Sequence, residues 1–411
     1  MSTNPMATNS AVPSPEQVLA HVQAQVQQAA RDAVHSVEKG VSQAKEMVGD
    51  SFTSACDRAA IAKTQIGASM AQLSTNSRQG LSNTVDKTRS VRRSLSVAFK
   101  RWYDTTVDEL PVSIQDDKID LIRTLPFIGV HLMCLGVFFV GFSWVALGTA
   151  ALFYVLRMFA ITGFYHRYFS HKSFKTSRAF QFVMGLWGAS SAQRGPLWWA
   201  ANHRHHHKTS DQPQDFHSPV QHGFWWSHMG WIMGKSAFRT NEKQIPDLIK
   251  FPELKLLDRF DLVLPFVLGG FMLGLGIFLE KFAPSLGTNG PQMLIWGFFV
   301  STVALFHGTV TINSLSHVWG TRRYKTNDDS RNNWFLAIIT LGEGWHNNHH
   351  HFPGSARQGF FWWEYDLTFY GLKVLSWFGL IWDLKTVPET FKNAHIATQE
   401  KSKLPHSPAS I

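Results

Sequence analysis

The 411-residue sequence predicts an all-α integral membrane protein, with four transmembrane helices and a helical cytosolic cap holding a histidine-ligated di-metal site. Three observations carry that prediction. Apolar residues gather into stretches long enough to cross a bilayer, many of the 20 histidines crowd into three tracts, and those tracts fall at the polar edges of the stretches. The averages conceal this, because a mean hydropathy of -0.11 and a net charge of +10 describe a soluble basic protein. Of the 16 Trp, 7 Tyr and 32 Phe, only Phe52 and Phe99 precede Arg101, so a polar leader has been joined to an aromatic-rich body. The expected organisation is a weakly amphipathic, partly ordered leader over residues 1–105, a membrane domain over 110–390 and a polar tail over 391–411.

The leader opens with a Ser, Asn and Pro-rich stretch that lacks the basic start and apolar core of a secretory signal, so the N-terminus is expected to stay cytosolic. From Pro15 to about Leu73 the apolar positions are small and helically spaced. Val26, Val37 and Val48 recur every eleven residues with Ala59 and Met70 in phase, a period of ~3.67 residues per turn. A stripe of Val and Ala buries little area, and Gly40, Gly49, Gly67 and Gly80 are expected to weaken the helix. It reads as a polar extension, or as a stripe lying on lipid or on another helix. Two cysteines, Cys56 and Cys134, are too few for a disulfide framework, a thiolate zinc site or an iron–sulfur cluster. The basic cluster Lys87, Arg89, Arg92, Arg93, Lys100 and Arg101 lacks an interleaved aromatic platform, so no nucleic-acid partner is expected; it marks the cytoplasmic side of the first span.

Spans are expected at about 126–142, 144–164, 262–280 and 292–312. Arg157 is the only charged residue between Pro126 and Tyr165, and Gly141 to Ser143 is the turn between the first two spans. Four crossings return both ends to one side. Lys281 is the only basic residue between spans three and four, whereas Tyr165 to Asp261 carries Arg167, Lys172, Lys175, Arg178, Arg194, Arg204 and Lys208, so that segment and both termini are cytoplasmic. Phe180 to Gln193 is too short to span and reads as an interfacial or re-entrant helix, and Asp366 to Asp383 as a surface-lying one.

The histidine tracts are His166 to His171, His203 to His207 and His346 to His350. His203, His206 and His207 stand at i, i+3 and i+4, and His346, His349 and His350 repeat those offsets, so each trio projects from one helix face. His205 and His351 point elsewhere. Eight histidines exceed what one tetrahedral ion needs, so two metal ions are implied. Imidazole suits iron, copper, zinc or nickel. Only one Glu-x-x-His occurs in the region, Glu343 to His346, which excludes the carboxylate-bridged soluble bundles. A metal transporter would need ligands at the bilayer midplane, where these spans have almost none.

At these residues the sequence resembles the integral-membrane fatty acid desaturases, specifically the Δ9 acyl-CoA (stearoyl-CoA) desaturase branch with its bacterial members. The likeness runs from about Leu110 to Pro388. It rests on the H-x4-H, H-x2-HH and H-x2-HH boxes together with Gly195-Pro-Leu-Trp-Trp-Ala-Ala-Asn-His203, Gly223-Phe-Trp-Trp-Ser-His-Met-Gly230 and Gly342-Glu-Gly-Trp-His-Asn-Asn-His-His350. The leader has no counterpart. The resemblance implies a further ligand and a water-linked asparagine from an N-S-x-x-H-x-x-G motif, here Asn313 to Gly320. The implied iron set is His166, His171, His203, His206, His207, His317, His346, His349 and His350, with Asn313 acting through water. It also implies Trp199 and Thr309 as walls of a bent acyl tunnel. Two positions depart from the family: Val310 stands where a tryptophan is usual and Asn202 where an acidic residue is usual.

The implied chemistry is insertion of a cis double bond at Δ9 into a saturated chain carried on CoA or lipid, using dioxygen, two Fe2+ ions and two external electrons. Gln193, Arg194, Lys175 and Arg178 are candidate substrate contacts, and Lys235 and Arg239 are further cap cations for a phosphate. With no dinucleotide fingerprint and no appended haem domain, electrons are expected from a separate ferredoxin or cytochrome b5-type protein with its reductase. A membrane di-iron hydroxylase shares clustered histidines and differs by inserting oxygen.

Overall fold

The computed structural model describes residues 15–47, 52–107 and 118–394. The chain divides into two compact units, Met1–Leu95 and Ser96–Ile411. In the first, α1 (Pro15–Met47) and α2 (Phe52–Tyr103) are long helices, and α2 continues past the unit's end. Both pass unbroken through glycines expected to weaken them: Gly40 in α1, Gly67 and Gly80 in α2. An isolated glycine costs a helix only about 1 kcal/mol, which a long helix absorbs. Gly49 lies outside the described residues, as does the tail beyond residue 394.

The second unit carries four helices long and apolar enough to cross a membrane: α3 (Leu121–Val140), α4 (Trp144–Ser170), and later α8 (Val263–Phe282) and α9 (Gly290–His317). Between and after them lie α5 (Arg178–Ala189), α6 (Pro196–Thr209), α7 (Pro252–Arg259), α10 (Trp334–Ile339), α11 (His346–His351) and α12 (Leu367–Trp377). Among the described residues the fold is mainly helical, and its one sheet is a two-residue antiparallel pairing, β1 (Lys175–Thr176) with β2 (Ile381–Trp382).

The span boundaries differ from those expected, for identifiable reasons. α3 begins earlier because Asp120 caps it, its carboxylate accepting from the Arg123 N–H at 3.2 Å, so Pro126 lies inside the helix. Proline has no N–H to offer the carbonyl four residues back. That carbonyl, of Ile122, accepts instead from the Trp102 indole at 2.7 Å. The turn expected between α3 and α4 is present: Gly141 takes φ 73°, and Ser143 caps α4. α4 extends past residue 164 because its last stretch, Ala160–Ser170, winds with hydrogen bonds five residues apart. α9 likewise continues to His317.

Arg157, the lone charge between Pro126 and Tyr165, is buried and donates to Thr302 Oγ1 at 2.8 Å and to Ser301 Oγ, tying α4 to α9. Around α4 the main core forms from Phe164, Tyr165 and Phe169 against Met184, Leu197, Ala200, Leu254 and Leu257. The expected interfacial helix, α5, is part of this core, because Gly188 lets it lie flat on α4, where a Cβ would enter the Tyr165 ring, and Gly185 leaves room for Leu254 and Leu257 of α7. The surface helix expected over Asp366 to Asp383 is shorter: α12, capped by Asp366, ends at Trp377, where Trp377 and Phe378 are exposed, and Ile381–Trp382 turn into β2.

Candidate metal centre

The nine histidines implied by the boxes and the N-S-x-x-H motif converge in two groups. His166, His171, His203, His207 and His349 form one, and His206, His317, His346 and His350 the other, with ligand atoms in each group within 4.8 Å of one another. The wide winding at the end of α4 explains the first box. In an ordinary α-helix residues five apart point ~140° away from each other, whereas five-residue hydrogen bonding stacks them on one face. The backbone bond from His171 N–H to the His166 carbonyl, 3.3 Å, closes that turn. α6 and α11 then each deliver one histidine pair to one group and one to the other: His203 and His207 against His206, and His349 against His346 and His350.

The ring nitrogens are spaced as a metal would hold them. Nε2 of His349 lies 3.0 Å from that of His166 and 2.9 Å from that of His207, and His171 and His203 are 2.8 Å apart. In the second group His317 and His346 approach to 3.1 Å, and the buried Nε2 of His350 has no protein hydrogen-bond partner among the described residues. Two neighbouring nitrogens at ~2.1 Å from one first-row ion sit roughly 3 Å apart, so the donor set fits. Burial, then the neighbouring rings, push His171, His203, His207, His346 and His349 well below the usual imidazole range, keeping them neutral as ligation requires.

Carboxylates orient the rings from behind, a feature the sequence reading missed. Nδ1 of His166 faces Glu343 at 2.5 Å, His206 faces Asp215 at 2.9 Å, His317 faces Asp211 at 2.8 Å and His350 faces Asp328 at 2.6 Å. Each fixes the tautomer that leaves Nε2 free to ligate. Burial pushes the Asp211 carboxyl up, but His317, Ser218 and the Asp329 N–H outweigh it and hold it at about 2. Glu343 is likewise held below its usual range despite burial, by His166 and Arg167, and Arg167 also reaches Asp366 at 2.9 Å. Glu343, the single Glu-x-x-His carboxylate, thus stands behind a ligand. The spacing signal available was that Asp211 and Asp215 follow the second trio by four and eight residues.

His205 and His351 stay outside both groups, as expected: His205 contacts the Gln214 carbonyl at 2.9 Å, and His351 stacks on Tyr324. Beside the second group, His217 shares Asp215 with His206.

A largely apolar cavity leads to this centre. Trp199, Thr309, Gln193, Arg194 and Asn313 line it together with His203, and the departures Val310 and Asn202 are in its wall. A smaller adjoining cavity shares Trp199, His203, Thr309 and Asn313 and adds His166, His206 and His346. Gln193 donates to Thr309 Oγ1 at 2.9 Å. Two expected contacts are elsewhere. Lys175 pairs with Asp383 at 2.8 Å and Arg178 with Glu253 at 2.7 Å, and neither lines the cavity, because β1 and the start of α5 place both side chains on the exposed surface. Arg101 and Arg123, not singled out as substrate contacts from sequence, line it instead.

A model of the fatty acid desaturase family matches residues 142–374. The chain is 36% identical to the sn-1 stearoyl-lipid 9-desaturase of Anabaena variabilis over 65% of its own length and 94% of that protein's. It is 37% identical to the Delta-9 acyl-lipid desaturase 1 of Arabidopsis thaliana (66% and 86% covered) and 35% identical to an acyl-CoA 5-desaturase of Anemone leveillei (67% and 83%). The matched region contains all nine clustered histidines and the cavity walls Trp199 and Thr309. The chain therefore belongs to the fatty acid desaturase family, the oxygen-dependent membrane oxidoreductases that insert a double bond into an acyl chain.

Proposed function

We propose that the five-histidine and four-histidine groups each hold one iron, with Asn313 completing the second through water, and that the chain introduces a cis double bond at Δ9 of a saturated acyl chain. The observation that carries this is that the apolar cavity, which His203 of the first group lines, adjoins a smaller one lined by His166 and His203 of that group and by His206 and His346 of the other, the two cavities sharing Trp199, Thr309 and Asn313. Bound irons supply the reduction of dioxygen: the chain loses two hydrogens, and with two electrons and two protons from outside, both oxygen atoms leave as water. The protein's own part is positioning and the exclusion of water. Trp199 and Thr309 shape the bend, Gln193 fixes the Thr309 hydroxyl, and the reacting methylenes are selected by distance from a held headgroup. Arg101, Arg123 and Arg194 are the cations on the cavity that suit a phosphate, on CoA or on a membrane lipid.

Electrons come from a separate ferredoxin or cytochrome b5-type carrier with its reductase. The charge asymmetry supports a cytoplasmic site and cytoplasmic termini. Residues 110–390 form the desaturase domain, between the leader at 1–105 and the tail at 391–411. Expression in a desaturase-deficient host, with double bonds located by mass spectrometry, tests the reading. Δ9 monounsaturated chains are expected; hydroxylated chains would replace it with the hydroxylase reading.

A further inference from the structure

The desaturase domain uses only the last turn of α2, where Arg101 and Trp102 line the cavity, and the rest of this 52-residue helix, ~78 Å long, exposes a ribbon of apolar side chains. Ile66, Ser77, Thr88 and Phe99 recur every eleven residues, with Met70 and Leu73 beside them. At roughly 98° per residue these fall on one narrow face. Ile66, Leu73 and Phe99 are 49%, 65% and 61% exposed. One step round the helix, Arg78, Arg89 and Lys100 form a second row with the same spacing, and all three are exposed. Thr64, Thr75, Asp86 and Val97 form a third row on the far side, near Asp57. The helix thus has an apolar floor, a cationic flank and its only two acids on the side away from that floor, with nine Lys and Arg in all.

We propose that α2 lies along the surface of an anionic phospholipid bilayer, its Ile66–Phe99 face in the headgroup region and its Arg78, Arg89 and Lys100 row among the phosphates. Three features favour lipid over a protein partner. The ribbon is interrupted by Ser77, Thr84, Thr88 and Arg92, which spoil a helix–helix seam that needs a large apolar knob at every turn but are tolerated in a polar headgroup layer. The cationic flank complements anionic headgroups, and long basic side chains reach up from beside an apolar face. Finally, the C-terminal end of α2 is fastened to the start of the first span by the Trp102 indole on the Ile122 carbonyl at 2.7 Å, and Asp104, just past the helix, pairs with Arg259 ahead of the third span at 2.7 Å.

Hydrogen–deuterium exchange of the full-length protein in lipid nanodiscs tests this. Peptides between residues 62 and 101 should exchange roughly ten-fold more slowly in phosphatidylglycerol-containing discs than in pure phosphatidylcholine discs, with the difference erased by high salt. The triple variant Arg78→Gln, Arg89→Gln, Lys100→Gln should lose the difference. Equal, salt-insensitive protection in both kinds of disc would mean that protein covers the ribbon and would overturn the proposal. So would fast exchange in both, or full protection in the triple variant.

Discussion

Nδ1 of His317, at the end of α9, stands 2.8 Å from Oδ2 of Asp211, which lies 106 residues earlier in the loop after α6. Asp211 also accepts from the Asp329 N–H at 2.8 Å, so one carboxylate links the fourth span, the second histidine helix and the loop carrying Asp328. Replacing a carboxylate behind a ligating histidine typically lowers metal affinity or activity 10–100-fold. Asp211→Ala should therefore lose iron in that range by elemental analysis while remaining membrane-inserted, and Asp211→Asn should lose less.

The Gln193–Thr309 hydrogen bond fixes the wall where the cavity meets the metal centre. Thr309→Val keeps the shape and leaves the Gln193 amide unpaired, a loss of about 1 kcal/mol. The expected outcome is a product mixture in which double bonds next to the preferred position rise by up to about five-fold, read by mass spectrometry, with iron content unchanged.

Asp258 at the end of α7 accepts from the Trp198 N–H at 2.7 Å and from the Thr240 hydroxyl at 2.6 Å. Burial pushes its carboxyl up from 3.8 to about 6, against those hydrogen bonds and with help from Asp261. A carboxyl raised in the folded state adds stability that is complete below its unfolded value and lost as pH rises through about 6. Raising the pH from roughly 5 to 7 should thus cost the wild type about 1 kcal/mol that Asp258→Asn does not lose. Tm measured for both proteins across that range checks the sign: the wild type should gain on the variant as pH falls.

Trp102→Phe should lower the Tm by the equivalent of about 1 kcal/mol, because it strands the Ile122 carbonyl that Pro126 leaves without an N–H. Combining it with Pro126→Ala, which restores an N–H four residues on, should recover part of the loss.

The spans and the histidines were legible because each depends on local periodicity: an uncharged run of bilayer length, or an i, i+3, i+4 face. His317 was legible only through resemblance, since one histidine at a span end carries no pattern. Asp211, Asp215 and Asp328 escaped because a ring's partner is chosen by tertiary contact, and the cap carries other carboxylates at similar spacing. Lys175 and Arg178 were misplaced for the same reason, being solvated charges whose partners Asp383 and Glu253 are distant in sequence. The early start of α3 was hidden by Pro126, whose cost is offset by a tryptophan in the preceding helix.

The most direct test of the two-ion assignment is the iron content of the purified full-length protein beside that of His317→Ala and His171→Ala. Two irons per chain in the wild type, with the second group's ion lost in His317→Ala and the first group's weakened in His171→Ala, are predicted. One iron per chain, or two irons retained in His317→Ala with normal desaturation, would contradict it.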